Sequence, residues 1–337
     1  MPKKSFRAAL NEALHHEMER DPTVILLGED VTGGHGASGE KDAWGGAFGV
    51  SKGLLGRFGP ERVRDTPITE SAFVGAAGGA AMTGLRPVVE IMFVDFLGVC
   101  FDQIFNQIAK ARYMFGGRAR SPIVIRTTFG AGVGSASQHS QALYPLFTHI
   151  PGLKVVVPSS PYDAKGLLIE AIRDDDPVVF LENKLLYDRT GEVPDAAYTV
   201  PFGEANVVRE GDDLVIVALG RMVEVAEEAA RTLKAEGVSA TVLDPRTTSP
   251  LDTGTIIEFV EATGRVVVVD ESNPRCGMAA DIAALIAEEA FDALKAPVLR
   301  VTPPHTPVPY APELERAYVP DAARVAAAGR RVIGHGG

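Results

Sequence analysis

Apolar positions follow two rhythms along this chain. Phe6, Leu10, Leu14 and Met18 recur every four residues, the stripe of an amphipathic helix, and Asp21-Pro22 ends it. Short, mainly apolar runs then appear at 24–27, 88–92, 122–127, 153–157 and 178–181. They are short and wet on neither side, which marks fully buried strands rather than helices. Helical stretches are predicted between them, at 51–58, after Glu70, at 97–113 (stopped by Gly116-Gly117) and at 163–173. Short buried strands alternating with helices predict a parallel α/β sheet. Residues 187–201 are polar, carry two prolines and read as a linker. A second set follows, with strands at 214–218, 240–243, 266–269 and 298–301 and helices near 222–236, 253–261 and 279–294. The expected fold class is therefore α/β in two domains, 1–186 and 204–337, joined by a linker at 187–203, with a frayed tail at 334–337. Residues 28–49, glycine-rich around Trp44, form a loop too long for a mere connection and are expected to border a site or a partner.

Composition narrows the function. The chain has 337 residues, 46% of them hydrophobic, enough for two cores. No run approaches the ~18 apolar residues of a membrane span, and the first residues read as an ordinary helix start rather than a signal. Two cysteines, Cys100 and Cys276, point to a reducing compartment, the cytoplasm, and away from a disulfide framework. A net charge of −11 without a basic patch argues against a nucleic-acid partner. It also disfavours unaided binding of an anionic cofactor.

Two stretches carry candidate chemistry. In 65–84, Glu70 opens a run of small and apolar residues in which Ser71 and Thr83 are the only other polar side chains before Arg86. A carboxylate there is expected in dry surroundings at a helix N-terminus. Burial favours its protonated form and the helix dipole its ionised one, a balance suited to proton exchange near neutral pH. The competing reading is a charge that merely stabilises an interface helix. The second stretch, GAGVGS at 130–135, follows a strand but places Ser135 where a dinucleotide loop has its third glycine. No helix begins there and no acidic residue lies ~20 positions on, so nicotinamide binding is not expected. Its glycines allow close backbone approach and deliver His139 among Gln138, Ser140 and Gln141. A structural histidine is the competing reading. His35 is the other histidine on a glycine-rich loop, with no amide beside it to orient the ring. There is neither a G-x-S-x-G elbow nor an H-E-x-x-H pair. The charge runs 40–42 and 174–176 read as solvated turns. Phe93 and Phe96 read first as core residues; the competing reading is that one of them, at a strand's C-terminal end where open α/β sheets gather ligands, forms the floor for a flat ring.

In order and spacing, DTPITE, GAAMTGLRPVVEIMFVDF, FDQIFNQIAKARYMFGG, SASQHSQ, HIPGLKVVVPSSPYDAKGLL and AIRDDDPVVFLE resemble the beta subunit of the thiamine-diphosphate-dependent first component of 2-oxo acid dehydrogenase complexes. GEDVTGGHGASGEKDAWGG, PFGEANVVREGDD, DPRTTSPLD, DESNPRCGMAADI and PHTPVPY resemble the acetoin dehydrogenase branch most. The resemblance spans about residues 5–332. It implies two three-layer α/β domains, a pyrimidine-binding domain and a transketolase C-terminal-like domain. It implies that Glu70 hydrogen-bonds the 1′ nitrogen of the cofactor's aminopyrimidine, that Phe96 stacks on that ring and that Met92 lines the same pocket. His139 matches the family's active-site histidine, which acts on the substrate-derived adduct and in acyl transfer to lipoamide; SQHSQ stands here where many relatives have AQHSQ. A potassium site of main-chain oxygens would fall at Ile123, Ala171, Ile172, Asp174 and Asp176, the last often Asn in relatives. The family's Mg²⁺ and diphosphate motif, G-D-G…N, is missing, since Gly211-Asp212-Asp213 lacks the second glycine. The resemblance thus implies half a cofactor site, with an alpha subunit holding Mg²⁺ and the diphosphate in an α2β2 heterotetramer. A lipoyl-bearing dihydrolipoamide acyltransferase core would be the further partner. The implied activity is cleavage of acetoin. The alternatives are a pyruvate or branched-chain 2-oxo acid dehydrogenase beta subunit and, more remotely, a non-catalytic scaffold.

Overall fold

The Ser5 hydroxyl accepts the Ala8 amide, so the short strand β1 (Lys3–Ser5) passes directly into α1 (Phe6–Arg20), whose stripe Phe6, Leu10, Leu14 and Met18 is buried. The structure, a computed structural model, is described for residues 1–33 and 45–335. Most of the loop around Trp44, with His35 and the run 40–42, lies outside the described residues, as do the last two of the tail. After α1 come β2 (Val24–Gly28), α2 (Leu54–Phe58), β3 (Val63–Asp65), α3 (Glu70–Met82), β4 (Arg86–Phe93), α4 (Ala111–Met114), β5 (Val124–Phe129), α5 (Tyr144–Thr148), β6 (Lys154–Val156), α6 (Pro161–Arg173), β7 (Val178–Asn183) and β8 (Thr190–Glu192). Six strands lie side by side in the order β6-β7-β5-β4-β2-β3, all parallel. α1 and α6 pack together on Leu26, Val88, Val124 and Phe180. Strand residues of the opposite parity, such as Val89 and Ile91, face the layer that holds α3.

The chain divides into two units, Met1–Phe129 with Leu146–Phe202, and Gly130–Pro145 with Gly203–Gly337. In the second unit β9 (Asn206–Arg209), β10 (Leu214–Ala218), α7 (Met222–Ala235), β11 (Ala240–Asp244), β12 (Thr247–Ser249), α8 (Thr253–Thr263), β13 (Val266–Val269), α9 (Met278–Glu289), β14 (Leu299–Val301), α10 (Pro312–Tyr318) and α11 (Ala322–Ile333) follow in order. The sheet runs β14-β13-β10-β11-β9, parallel except for the edge strand β9. α7 and α11 cover one face through Ala226, Leu233, Val325 and Val332. α8 and α9 pack beside β10 and β13. Both units are α/β, with helices against a mainly parallel sheet.

Three features differ from the sequence-based expectation. The segment 97–113 is not one helix: a 3₁₀ turn (Val94–Gly98) and a π-helical turn (Gln103–Ile108) precede α4. Glycines in α3 let this segment lie very close, for a Cβ at Gly78 would come within 2.9 Å of Ile108. The supposed linker is largely built into the first unit. Its β8 pairs antiparallel with β1, and its Val193 and Val200 are buried. The Lys165 ammonium, sunk in α6, donates to the carbonyls of Pro194 (2.6 Å) and Asp195 (3.1 Å) and so fastens the segment down. Finally, Gly130–Pro145 leaves the first domain and groups with the second unit. Among the described residues, no helix is long and apolar enough to cross a membrane.

Candidate active site

Glu70 is the first residue of α3 and half-buried, so the dry surroundings expected for it are incomplete within this chain. The neighbouring Ser71 hydroxyl donates to the Val99 carbonyl at 2.7 Å, tying the helix start to the 3₁₀ turn that carries Phe96. Phe96 is half-buried and meets Phe93 edge-on, with ring centroids 5.5 Å apart. Met92 is the extra residue of a β-bulge: Ile91 pairs with Thr127 and Phe93 with Thr128. Bulges beside functional sites re-aim a side chain. The Met92 carbonyl is held by the Thr128 hydroxyl. The structure therefore brings Glu70, Met92 and Phe96 into the first unit, around the C-terminal end of β4. Burial, with Asp30 and Glu70 nearby, raises the Glu29 carboxyl. Burial, with a contribution from Glu70, pushes the Cys100 thiol up to about 12. In the turn before Glu70 the Thr66 hydroxyl is buried without a hydrogen-bond partner.

Beneath Met92 lies a cluster that sequence reasoning missed. Arg126, 2% exposed, donates two hydrogen bonds of 2.8 Å to Glu182 and one of 2.7 Å to Glu90. The Tyr187 hydroxyl donates to Glu182 at 2.7 Å. Burial works against the Arg126 charge, but Glu182 and Glu90 more than offset it and its pKa rises. Burial raises the Glu182 carboxyl despite Arg126, and pushes the Tyr187 phenol well up. A signal was present: the otherwise apolar runs PVVEIM, PIVIRT and VVFLE each carry one charge, and register sets Glu90 directly opposite Arg126.

His139 belongs to the second unit, on the loop Gly130–Pro145. The loop closes on itself through Gly130 N–H to the Gln141 carbonyl (3.3 Å), and φ is positive at Gly130, Gly132, Gly134 and Ala136. Such alternation turns successive amides into a concave anion cradle. The anions are the chain's own. Gly132 N–H donates to Glu315 at 2.7 Å, Gly134 N–H to the same carboxylate at 3.0 Å, and Ala131 N–H to Glu271 at 2.8 Å. This is the physical reason why a loop resembling a nucleotide motif is not one. At the far end, the buried Tyr144 hydroxyl donates to Asp270, whose other bonds run to Ser272 and the Ala279 amide at the start of α9. Burial, with Asp270 beside it, pushes the Tyr144 phenol well above its ordinary value. His139 is half-buried, and the next residue, Ser140, has a buried hydroxyl without a partner. Ser137, Gln141 and Ala142 of this loop line a cleft of about 400 Å³ together with Glu271, Asn273 and residues 305–308.

The five potassium positions lie around the C-terminus of α6 and the start of β5, where last-turn carbonyls attract cations. Arg86 already donates to the carbonyls of Ile172 (3.1 Å) and Asp174 (2.8 Å). The Asp174 side chain pairs with Lys154 and that of Asp176 with Arg112. The run 174–176 is thus an ion-pair network rather than a solvated turn. Gly211-Asp212-Asp213 is a structural turn before β10: Asp213 accepts the Ser239 amide at 2.7 Å, and Gly211 exchanges hydrogen bonds with the Thr241 hydroxyl.

Comparison with known proteins follows this division of the chain. Residues 2–190 match the pyrimidine-binding domain of transketolase and residues 203–325 its C-terminal domain. The chain is 62% identical over 331 residues, 98% of each chain, to the beta subunit of acetoin:2,6-dichlorophenolindophenol oxidoreductase from Cupriavidus necator. It is 47% identical to pyruvate dehydrogenase E1 component subunit beta-2, mitochondrial, of Oryza sativa subsp. japonica, over 97% of this chain and 85% of the relative. A solved split-gene transketolase, described as an inactive beta4 tetramer, superposes with a TM-score of 0.77 at 25% identity over 98% of both chains.

Proposed function

The chain belongs to the transketolase-like beta subunits of the thiamine-diphosphate-dependent first components of acetoin and 2-oxo acid dehydrogenases, and on that premise we propose how its residues divide the work. It acts as the beta subunit of an acetoin-cleaving oxidoreductase that passes an acetyl unit to lipoamide. The observation that carries this is Glu70 at the N-terminus of α3, fastened through Ser71 to the turn bearing Phe96. The donor set fits the aminopyrimidine end of the cofactor, with a carboxylate for a ring nitrogen, an aromatic face for the ring and a thioether re-aimed by a bulge. The orphaned Thr66 hydroxyl supports the same placement.

Thiamine diphosphate, when bound, supplies the carbon nucleophile that attacks the ketone. Glu70 would hold a proton at the 1′ nitrogen of the pyrimidine, easing loss of a proton from the exocyclic amino group and so favouring the imino form that can accept one. Phe96 orients the ring by stacking, and Met92 excludes water from its edge. His139 donates to, or takes a proton from, the substrate oxygen during cleavage and acyl transfer.

The Gly211-Asp212-Asp213 turn is spent on structure and offers no diphosphate grip. An alpha subunit supplies Mg²⁺ and that grip in an α2β2 assembly. The exposed small residues of α3, among them Ala72, Ala76 and Gly79, suit close packing there. A lipoyl-bearing acyltransferase core is the acceptor. Potassium would sit on the main-chain oxygens of Ile123, Ala171, Ile172, Asp174 and Asp176 beside Arg86, each carbonyl having a second lone pair. The two free cysteines accord with a reducing cytoplasm.

The test is turnover of this chain co-purified with its alpha partner, supplied with thiamine diphosphate, Mg²⁺ and dichlorophenolindophenol. Acetoin, pyruvate and branched-chain 2-oxo acids are offered separately. Acetoin is expected to be preferred; preference for pyruvate would move the chain to the branch of its 47% identical relative. Glu70→Gln is expected to lower turnover at least ~10²-fold, and unchanged turnover would favour a scaffold.

A further inference from the structure

We infer that Glu315 and Glu271 are positioning residues for His139, acting by seating their carboxylates in the amide cradle of the loop that carries it; this rests on the proposed role of His139. Both side chains come from elements remote in sequence, Glu315 from α10 and Glu271 from the segment after β13. Both are buried, at 4% and 3% exposure, so they take no part in general surface charge. Glu315 is bidentate. One oxygen accepts Gly132 N–H at 2.7 Å, the other Gly134 N–H at 3.0 Å, and the first also lies 3.3 Å from Gly134 N. Glu271 accepts the preceding amide, that of Ala131, at 2.8 Å.

Three amides within four residues are thereby fixed, directly upstream of His139. A loop with positive φ at Gly130, Gly132, Gly134 and Ala136 has little stiffness of its own. Its conformation must be imposed, and an ionised carboxylate on two amides at once imposes it by charge-assisted hydrogen bonds. Glu271 also lines the cleft that Ser137 and Gln141 of the same loop line, so the clamp and the cleft share a wall. The Tyr144–Asp270 bond anchors the other end. His139 is thus delivered by a loop held from both sides.

Two steps of turnover are thereby separable. The proton movements assigned to Glu70 concern the other unit. The step that uses His139 needs its ring within hydrogen-bond distance of the substrate oxygen. Loosening the cradle should therefore harm the His139 step and spare cofactor binding.

Glu315→Ala, Glu315→Asp, Glu315→Gln and His139→Ala are prepared in the reconstituted complex with its alpha subunit. Turnover with a lipoyl acceptor, thiamine diphosphate affinity, thermal midpoint and the pH profile of kcat/KM are measured. Glu315→Ala is expected to lose at least tenfold in kcat with a lipoyl acceptor and to lose the limb of the pH profile that His139→Ala abolishes. Cofactor affinity should change less than threefold. Glu315→Asp, one methylene too short to reach both amides, should fall between Glu315→Ala and the wild type. Glu315→Gln keeps one acceptor oxygen but loses the charge and turns an NH2 toward the Gly134 N–H, so it too should fall between Glu315→Ala and the wild type. A fully active Glu315→Asp or Glu315→Ala overturns the positioning role. So does a loss confined to the thermal midpoint with the pH profile intact. If Glu315→Ala does not fold, Glu315→Asp decides. If His139→Ala turns over normally, it is the role of His139 that fails, an outcome distinct from a silent Glu315.

Discussion

Arg126→Met should be among the most damaging single substitutions in the first unit. The guanidinium pairs with two carboxylates, and the side chains of Arg126, Glu90 and Glu182 are 2%, 7% and 1% exposed. Methionine would fill much of the volume but leave both carboxylates buried and unpaired. Breaking such a group by removing one partner costs about 3–5 kcal/mol. For units of this size each kcal/mol shifts the melting temperature by about 2–4 °C, so a fall of about 6–20 °C is expected. The loss should depend on pH. Burial already raises the Glu182 carboxyl above its unfolded value, so the folded state holds the proton more tightly. A carboxyl raised on folding contributes stability at low pH that is lost as pH rises through its folded value. Without Arg126 that pKa rises further, and the deficit should be small near pH 4.5 and full at pH 8. Calorimetry of the complex at both pH values measures this, with Arg126→Met/Glu182→Gln as a partial rescue. A melting temperature within about 2 °C of the wild type at pH 8, or an equal fall at both pH values, would refute the reasoning. Cofactor affinity should fall with stability, because the cluster lies beneath the Met92 bulge.

Other expectations are more local. Gly152→Ala should destabilise the first unit by at least ~2 kcal/mol in thermal or urea unfolding, since φ there is +100° and the new Cβ would lie 2.0 Å from the Ala109 carbonyl oxygen. Replacing potassium by sodium should move the melting temperature by less than about 2 °C, because Arg86, Arg112 and Lys154 already supply positive charge at the end of α6; a larger fall would make the ion structural.

What could be read from the sequence was whatever local pattern alone determines. β2 and β10 are continuous apolar runs, and every residue in them is buried. The stripe on α1 was legible because each of its members is buried in the core that α1 shares with α6. The helix after Glu70 begins at Glu70 itself. α11 was legible and overlooked: Asp321 caps it by accepting the Arg324 amide, and Val325 and Val332 lie on its buried face. The π-helical turn and the Met92 bulge were not legible. Each is set by contact with another element, α3 in one case and β5 in the other, and leaves the local periodicity unchanged. The pairing of β8 with β1 joins three-residue strands at opposite ends of a domain, too short for any rhythm to show.

The loop that carries His139 shows where reading by motif stops and reading by charge begins. A run of glycines after a strand advertises free amides, and free amides seek an anion. Sequence alone excluded a dinucleotide by the missing third glycine and the missing helix, yet left the amides without an assigned acceptor. The acceptors sit far along the chain, in an acidic protein of net charge −11 with carboxylates in ample supply. Glu271 and Glu315 take the amides of Ala131, Gly132 and Gly134, so this part of the cradle is filled by carboxylates of the chain itself. The same economy holds at the end of α6, where Arg86 takes carbonyls of Ile172 and Asp174. In both places a constellation that invites an external ion is met first by a side chain of opposite charge. A motif of backbone donors or acceptors therefore becomes evidence for a ligand only after the chain's own charges have been placed.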